Sequence, residues 1–104
     1  MEFSKRKWGY YLTFYSANCF KIKFLYFKKG MSCSMQRHFK RNEIWCYLFG
    51  NGYFTLNEKT YPAQNGSCSM VSIGDWHKYF ATRPTLVLEI QTGHCEESDI
   101  ERAA

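Results

Sequence analysis

The stretch GMSCSMQRHFKRNEIWCYLFG, residues 30–50, carries polar side chains at regular positions between two glycines. Gln36 and His38 are two residues apart, so on an extended strand both side chains project from the same face. Residues 39–42 form a polar break, after which a returning strand can bring Glu43 to that face. An amide oxygen, an imidazole and a carboxylate are suitable ligands for a divalent metal ion. The stretch therefore predicts most of a metal site on two neighbouring strands.

A fourth ligand is predicted in the segment GSCSMVSIGDWH, residues 66–77. A glycine near the end of this segment supplies a turn, and a histidine then opens another strand-like run. We expect four side chains to converge on one ion: Gln36, His38, Glu43 and His77. Zinc is the ion expected first, with Mn, Fe, Ni or Co as alternatives, and some coordination positions should remain open.

The order and spacing of these residues resemble the two sequence motifs of the cupin superfamily. The run from Ser34 to Trp45, with Gln where the commoner motif has His, is most similar to the phosphomannose isomerase cupins, especially the C-terminal domain of the bifunctional type II enzymes. Further similarity lies at residues 8–10, 89–93 and 97–102. The resemblance implies a single domain over residues 1–104, folded as a cupin double-stranded β-helix, which is a jelly-roll barrel.

The same resemblance implies an activity of the mannose-6-phosphate isomerase type, in which a metal ion helps to interconvert aldose and ketose phosphates through an enediolate. A general base must move a proton between C1 and C2, and Lys23 and Glu89 are the predicted catalytic residues, ahead of His94. Arg41 and Arg102 are the predicted substrate-binding residues, because a guanidinium group binds a phosphate through paired hydrogen bonds. The implied partner is a small sugar phosphate.

Two other functions remain open at the level of sequence. Ser72 stands where many cupins have proline, and the histidine-rich stretch of the type II enzymes is reduced to His38. A non-catalytic cupin that binds metal or carbohydrate is one alternative, and an Fe(II) dioxygenase is the other. An isomerase should lose turnover with a chelator, a binding module should be stabilised by sugar without turnover, and a dioxygenase should consume oxygen.

Composition supports an all-β fold in one domain. The chain has 104 residues, and 19% of them are aromatic, which favours strands. The formal charge is +5, with basic residues mainly in the first half and acidic residues near the end. A small anionic ligand explains this distribution as well as a polyanion does, and we expect no specific nucleic-acid partner.

The cysteines and the apolar segments lead to predictions about cellular location and oligomeric state. Five cysteines without C-x-x-C spacing, and no recognisable signal peptide, favour free thiols in the cytoplasm. Every apolar run is shorter than the roughly 20 residues that span a bilayer, so no membrane partner is expected. We expect a homodimer, because a small aromatic-rich barrel has apolar strands to cover.

Residues 20–27 show the clearest alternation of apolar and polar side chains. The favoured interpretation points Lys21 and Lys23 to water and places the aromatic side chains in the core, because lysine is rarely buried without a partner. In the alternative interpretation, Lys23 reaches the ligand pocket. The family resemblance implies this, because phosphomannose isomerase-like domains carry a lysine at the same place in this pattern.

The chain ends and one turn carry further predictions. Residues 1–7 are expected to be flexible or exchanged with a neighbouring subunit. Residues 96–103 are the candidate for a short C-terminal helix, which either packs on the barrel or forms a solvated tail. The Gly50-Asn51-Gly52 sequence predicts a tight β-hairpin.

Overall fold

A computed structural model describes residues 1–103 of the protein as eleven strands in two antiparallel sheets. The strands are β1 (Glu2–Arg6), β2 (Gly9–Ala17), β3 (Phe20–Phe27), β4 (Gln36–Arg37), β5 (Arg41–Phe49), β6 (Asn51–Leu56), β7 (Lys59–Gln64), β8 (Cys68–Val71), β9 (His77–Ala81), β10 (Thr85–Gly93) and β11 (Glu101–Arg102). One sheet has the order β1-β2-β3-β10-β5-β8, and the other has the order β11-β4-β9-β6-β7.

The all-β prediction is confirmed, and the predicted C-terminal helix is wrong. Residues 96–103 form turns followed by the short strand β11, which pairs with β4. Within residues 1–103, no helix is long and apolar enough to cross a bilayer. Contacts with strands that are distant in sequence hold the C-terminal segment, and these contacts cannot be predicted from the local sequence.

An aromatic cluster between the sheets forms the core. Its fully buried members come from strands of both sheets, and their rings are in direct contact. The ring centroids of Phe27 and Tyr79 are 5.1 Å apart, and those of Trp45 and Phe54 are 5.3 Å apart. Buried aromatic pairs of this kind each add about 0.5–1.5 kcal/mol beyond their area burial. The cluster therefore packs the two sheets against each other.

The favoured interpretation of β3 is wrong, because its two faces are reversed. Lys21 and Lys23 face the interior and are 6% and 5% exposed, whereas the alternating Phe20, Ile22 and Phe24 are half-buried on the outside. Both lysines contact a carboxylate of the C-terminal segment, so they are not buried without a partner. Both lysines therefore point into the barrel, and Lys23 lines its cavity.

The glycine-rich turn after β5 does not form the predicted hairpin. Gly50 has a φ of 119° and joins β5 of the first sheet to β6 of the second, so the chain crosses between sheets there. The hairpin lies one strand later, between β6 and β7, where Asn57 adopts a φ of 56°. At the N-terminus, β1 pairs with β2 of the same chain, where the sequence favoured a flexible or exchanged segment.

Candidate metal centre

His38, Glu43 and His77 meet inside the barrel. Glu43 lies on β5, His77 begins β9, and His38 directly follows β4. All three residues are buried, and their candidate ligand atoms lie within 4.8 Å of one another. Nε2 of His38 is 3.2 Å from Oε2 of Glu43, and Nε2 of His77 is 3.5 Å from Oε1. The fold thus brings three of the four predicted ligands to one point.

Gln36 lies beside this cluster. It is directly opposite His77 in the pairing of β4 with β9. Residues directly opposite in an antiparallel pair project from the same face, with their Cβ atoms about 4.5–5.5 Å apart. The side chain of Gln36 is half-buried and lines the cavity next to the cluster. Its role as the fourth ligand stays a prediction.

Backbone carbonyl groups orient both imidazole rings. Nδ1 of His38 is 2.7 Å from the carbonyl oxygen of Asp99, and Nδ1 of His77 is 3.1 Å from that of Asp75. A carbonyl oxygen can only accept a hydrogen bond, so Nδ1 carries the proton in each ring. Each Nε2 therefore presents a lone pair towards Glu43.

The donor set of the cluster fits a divalent cation. Two Nε2 lone pairs and a carboxylate face one another, and all of them are acceptors. Among residues 1–103, Nε2 of His77 is buried without a hydrogen-bond partner. Zinc and related ions prefer imidazole nitrogen and carboxylate oxygen, with the second ring nitrogen bound to a carbonyl as it is here. An ion held by His38, Glu43 and His77 would satisfy the unpaired atom.

Arg41 brings a positive charge to the same point. Its Nε donates to Oε2 of Glu43 at 2.9 Å, and one terminal nitrogen lies 3.2 Å from Nε2 of His38. The other terminal nitrogen donates to the backbone oxygen of Glu96 at 2.9 Å. The predicted phosphate ligand Arg41 is therefore buried against the candidate metal-binding residues, and its part in phosphate binding stays a prediction.

Burial and neighbouring charges fix the protonation of the cluster. Desolvation lowers the pKa of His38 and outweighs the opposing charge of Glu43, and the Arg41 charge lowers the pKa further, so the ring is neutral and able to bind a metal. Burial by itself raises the pKa of Glu43, but its contacts with His77, Glu89 and His38 hold that pKa well below its usual value. Glu43 is therefore the ionised carboxylate of the site.

Glu89 behaves in the opposite way. Burial raises its pKa well above the usual value, and the negative charge of Glu43 and the hydrogen bond between the two carboxyl groups raise it further. Its Oε1 also accepts a hydrogen bond from Nε2 of Gln91 at 3.1 Å. Of the two carboxyl groups, Glu89 is the one that keeps a proton.

A cavity of about 650 Å³ opens beside the cluster. The predicted catalytic residues Lys23 and Glu89 line it together with His38, and the exposed Arg102 lies on β11 at its edge. His94 is elsewhere on the surface, where its Nε2 is 2.6 Å from a carboxylate oxygen of Glu96. The cavity is thus lined by Lys23, Glu89 and two candidate metal-binding residues, Gln36 and His38, and His94 lies outside it.

Sequence reasoning missed the role of Asp99. Its carboxylate oxygens accept hydrogen bonds from the backbone N–H groups of Phe39 and Lys40, both at 2.9 Å. Its backbone oxygen accepts the Nδ1 proton of His38. The available signal was the family similarity at residues 97–102, which contain Asp99, but it did not indicate that this aspartate holds the loop that carries His38.

Similarity to solved structures identifies the fold. KdgF from Halomonas sp. superposes with a TM-score of 0.82 at 11% identity, covering 94% of this chain and 93% of that chain. A variant of Streptomyces PAC13 with uridine superposes with a TM-score of 0.84 at 15% identity, covering 99% and 84%. A Klebsiella pneumoniae protein described as having a double-stranded beta-helix domain superposes at 0.79 and 10% identity, covering 88% and 81%. The protein has the double-stranded β-helix fold.

The sequence comparison then gives the family. The family model "Mannose-6-phosphate isomerase C-terminal" matches residues 2–104, and the chain belongs to this family. The alginate biosynthesis protein AlgA of Pseudomonas aeruginosa is 29% identical over 100 residues, and a mannose-1-phosphate guanylyltransferase of Escherichia coli is 33% identical over 100 residues. Each alignment covers 93% of this chain and 21% of the relative, so the chain spans about a fifth of their length. The family link is therefore to enzymes of carbohydrate biosynthesis.

Proposed function

We propose that this domain is a metal-dependent sugar-phosphate isomerase of the mannose-6-phosphate isomerase type. The observation that carries the proposal is the buried His38–Glu43–His77 cluster, which reaches through His38 a cavity that Lys23 and Glu89 also line. Aldose–ketose isomerisation needs a group that polarises a carbonyl and a group that moves a proton between adjacent carbons. The cavity offers candidates for both, and membership of the family supports this assignment.

His38, Glu43 and His77, with Gln36 as the proposed fourth ligand, would hold the metal. When bound, a divalent ion supplies Lewis-acid stabilisation of the negative charge that develops on a carbonyl oxygen. Hydrogen bonds within the chain orient these ligands. Trp45 donates from Nε1 to Oε1 of Glu43 at 3.0 Å, so the carboxylate is held from the aromatic side of the cavity.

Glu89 is the proposed proton carrier. A raised pKa brings a carboxyl group closer to the neutral range, in which it can both hold and release a proton. Gln91 orients this carboxyl group through the hydrogen bond at 3.1 Å. Lys23 lies directly opposite Glu89 in the pairing of β3 with β10, so its positive charge is available near the anionic form of the carrier.

The proposal is tested by an isomerase assay with mannose 6-phosphate, with metal analysis of the same sample. Turnover should be lost with a chelator and restored by one of Zn, Mn, Fe, Ni or Co. His77→Gln should lower turnover by at least a hundredfold and reduce the bound metal, because it removes the buried unpaired Nε2. His94→Gln is the matched control, because that histidine is on the surface.

Turnover that survives chelation, or that is equal in His77→Gln and wild type, would exclude the proposal. A circular dichroism spectrum and a melting curve establish that His77→Gln is folded. Bound metal without turnover on any phosphorylated hexose would favour the second candidate below.

The second candidate is a cupin that binds sugar or metal without catalysis, and Arg41 is the observation that favours it. Its guanidinium contacts both Glu43 and His38, so it already neutralises the carboxylate that a metal would need. A binding module should be stabilised thermally by sugar phosphate in the presence of chelator and show no turnover with any metal.

A further inference from the structure

We propose that Lys21 and Lys23 form a binding subsite for the phosphate group of the ligand, and that Glu97 occupies this subsite when no ligand is bound. The inference deepens the proposed function and takes its substrate class, a phosphorylated sugar, from that proposal. Lys23 and Glu97 line the same cavity as His38, and the subsite uses a different set of residues from the candidate metal centre.

Two buried ammonium groups share one carboxylate oxygen. Oε1 of Glu97 is 3.2 Å from Nζ of Lys21 and 2.5 Å from Nζ of Lys23. The lysine side chains are 8% and 6% exposed, whereas that of Glu97 is 50% exposed. The two positive charges are therefore fixed in the barrel, and the negative charge reaches them from the solvent side. Glu97 can rotate into water, but the lysines cannot leave with it.

The charges around the two lysines leave room for a second negative charge. Among the described residues, both lysines form their salt bridges with Glu97 alone. Arg41 forms an ion pair with Glu43, so this carboxylate already has a positively charged partner. One carboxylate thus balances two ammonium groups, whereas a phosphate monoester carries nearly two charges at neutral pH. Lysine binds phosphate as a compact point charge, which suits a pair of ammonium groups on neighbouring positions of one strand face.

Two unpaired polar atoms flank the lysines. Thr13 is directly opposite Lys23 on β2, and Gln91 is directly opposite Lys21 on β10. In the described part of the chain, Oγ1 of Thr13 and Oε1 of Gln91 are buried and lack hydrogen-bond partners. Buried polar atoms are normally paired, and a hydroxyl group can donate to a phosphate oxygen. Thr13 therefore gives the subsite a neutral donor beside its two charges.

The subsite is in register with the candidate metal centre. Lys21, Gln91 and Glu43 are consecutive partners across β3, β10 and β5 and all face inward. Two strand spacings separate the backbone of Lys21 from that of Glu43 by about 10 Å. A hexose phosphate lying along this row would have its phosphate at the lysines and its carbonyl end at His38, Glu43 and His77.

The test is calorimetric titration of the metal-free protein, kept in chelator, with inorganic phosphate, mannose 6-phosphate and mannose. Both phosphates should bind, and mannose should bind at least tenfold more weakly than mannose 6-phosphate. Equal affinity for the two phosphates would mean that the subsite accepts free phosphate, and tighter binding of mannose 6-phosphate would mean that the sugar adds contacts. Both results support the subsite, and absence of phosphate binding would overturn it.

Variants separate the subsite from a merely structural ion pair. Glu97→Gln should bind inorganic phosphate at least threefold more tightly than wild type, because the internal competitor is weakened. Lys21→Met and Lys23→Met should each bind it at least tenfold more weakly. The matched controls are Glu96→Gln, which alters the neighbouring surface carboxylate, and Lys29→Met, which alters an exposed turn.

Equal or weaker phosphate binding by Glu97→Gln would overturn the inference, and this variant does not depend on replacing a buried lysine. Circular dichroism establishes folding of the two lysine variants. Because the titration uses no metal and no turnover, it fails or succeeds separately from the isomerase assay. If wild type binds phosphate but does not isomerise mannose 6-phosphate, the proposed function alone is refuted. If wild type isomerises mannose 6-phosphate but Lys23→Met binds inorganic phosphate as tightly as wild type does, the subsite alone is refuted.

Discussion

Asp99 links the end of the chain to the candidate metal centre through three hydrogen bonds. Its carboxylate accepts from the backbone of Phe39 and Lys40, and its backbone oxygen accepts from His38. The residue is 9% exposed, so water replaces these bonds poorly. A side chain that touches no predicted ligand atom thus fixes the loop on which one ligand sits.

Replacing Asp99 with alanine should weaken both the fold and the metal site. The loss of two charge-assisted hydrogen bonds should lower the free energy of unfolding by about 1–3 kcal/mol. Disorder in the loop of His38 should weaken zinc binding by roughly 10–100-fold. Urea unfolding and competition with a zinc chelator measure these effects, with the exposed Ser98→Ala as control. Equal zinc affinity in both variants would contradict the orienting role of Asp99.

The ion pair of Glu97 should make stability depend on pH in a defined range. Burial by itself raises the pKa of Glu97, but the hydrogen bond and charge of Lys23, and then of Lys21, lower it from 4.5 to about 2. A lowered carboxyl pKa stabilises the folded state above the unfolded value, and the stabilisation is lost as pH falls towards the folded value.

We therefore expect wild type to be more stable than Glu97→Gln at pH 5 and above, with the difference shrinking between about pH 4.5 and 2. Urea unfolding at several pH values measures this difference, and Glu96→Gln provides the comparison for a surface carboxylate. A difference that stays constant across the range would show that the charge of Glu97 does not stabilise the fold.

At the scale of the element, the edge pair β5–β8 places two cysteines side by side. Cys46 and Cys68 are directly opposite in this pair, and their Sγ atoms are 3.1 Å apart as free thiols. Directly opposite residues of antiparallel strands have Cα atoms about 4.5–5.5 Å apart, which lies within the range of disulfides. Burial, and then the neighbouring Cys68, raise the pKa of Cys46 to about 11, which disfavours the reactive thiolate.

Treatment with the thiol oxidant diamide should therefore join Cys46 to Cys68 within one chain, faster at alkaline pH than at neutral pH. Mass spectrometry should detect the loss of two hydrogen atoms, and peptide mapping should find this pair. Cys68→Ser should remove the linkage, and Cys19→Ser, at an exposed position elsewhere, should keep it. Chain-to-chain disulfides in place of the internal one would contradict the predicted geometry.

At the scale of the whole molecule, the outer face of the six-stranded sheet is apolar. The outward residues of its central strands are only half-buried within one chain: Ile22, Phe24, Ile44, Leu88 and Ile90. The molecule measures 33 × 31 × 26 Å, so one face can supply the roughly 800 Å² per partner that stable interfaces bury. The proposed occupant of this face is a second copy of the chain, because a self-complementary apolar surface suits a two-fold interface.

Light scattering after size-exclusion chromatography should then give the mass of a dimer. Leu88→Lys, in the centre of the face, should give a monomer, because a charge would be buried at the interface. Tyr53→Lys is the control, since this side chain is 47% exposed on the other sheet. A monomeric wild type, or a dimer that survives Leu88→Lys, would contradict this interface.

The sequence by itself determined the strand class of the fold and the identity of the candidate metal-binding residues. Both depend on short-range information: aromatic and alternating residues favour strands, and the spacing of His38 and Glu43 follows from one strand, one break and one returning strand. His77 also followed from its local setting, with a glycine turn shortly before a strand. The family resemblance carried the same information, and the comparisons confirmed the family.

Only the tertiary structure decided which face of β3 points inward and what each charged side chain meets. An alternating pattern fixes the two faces of a strand but not the side on which the core lies. Lys21 pairs with Glu97 across 76 residues, and His38 meets Asp99 across 61. Such contacts arise because packing brings distant segments together, and a local pattern holds no record of the partner. For that reason the sequence pattern places both lysines in water, although both are buried and Lys23 lines the cavity.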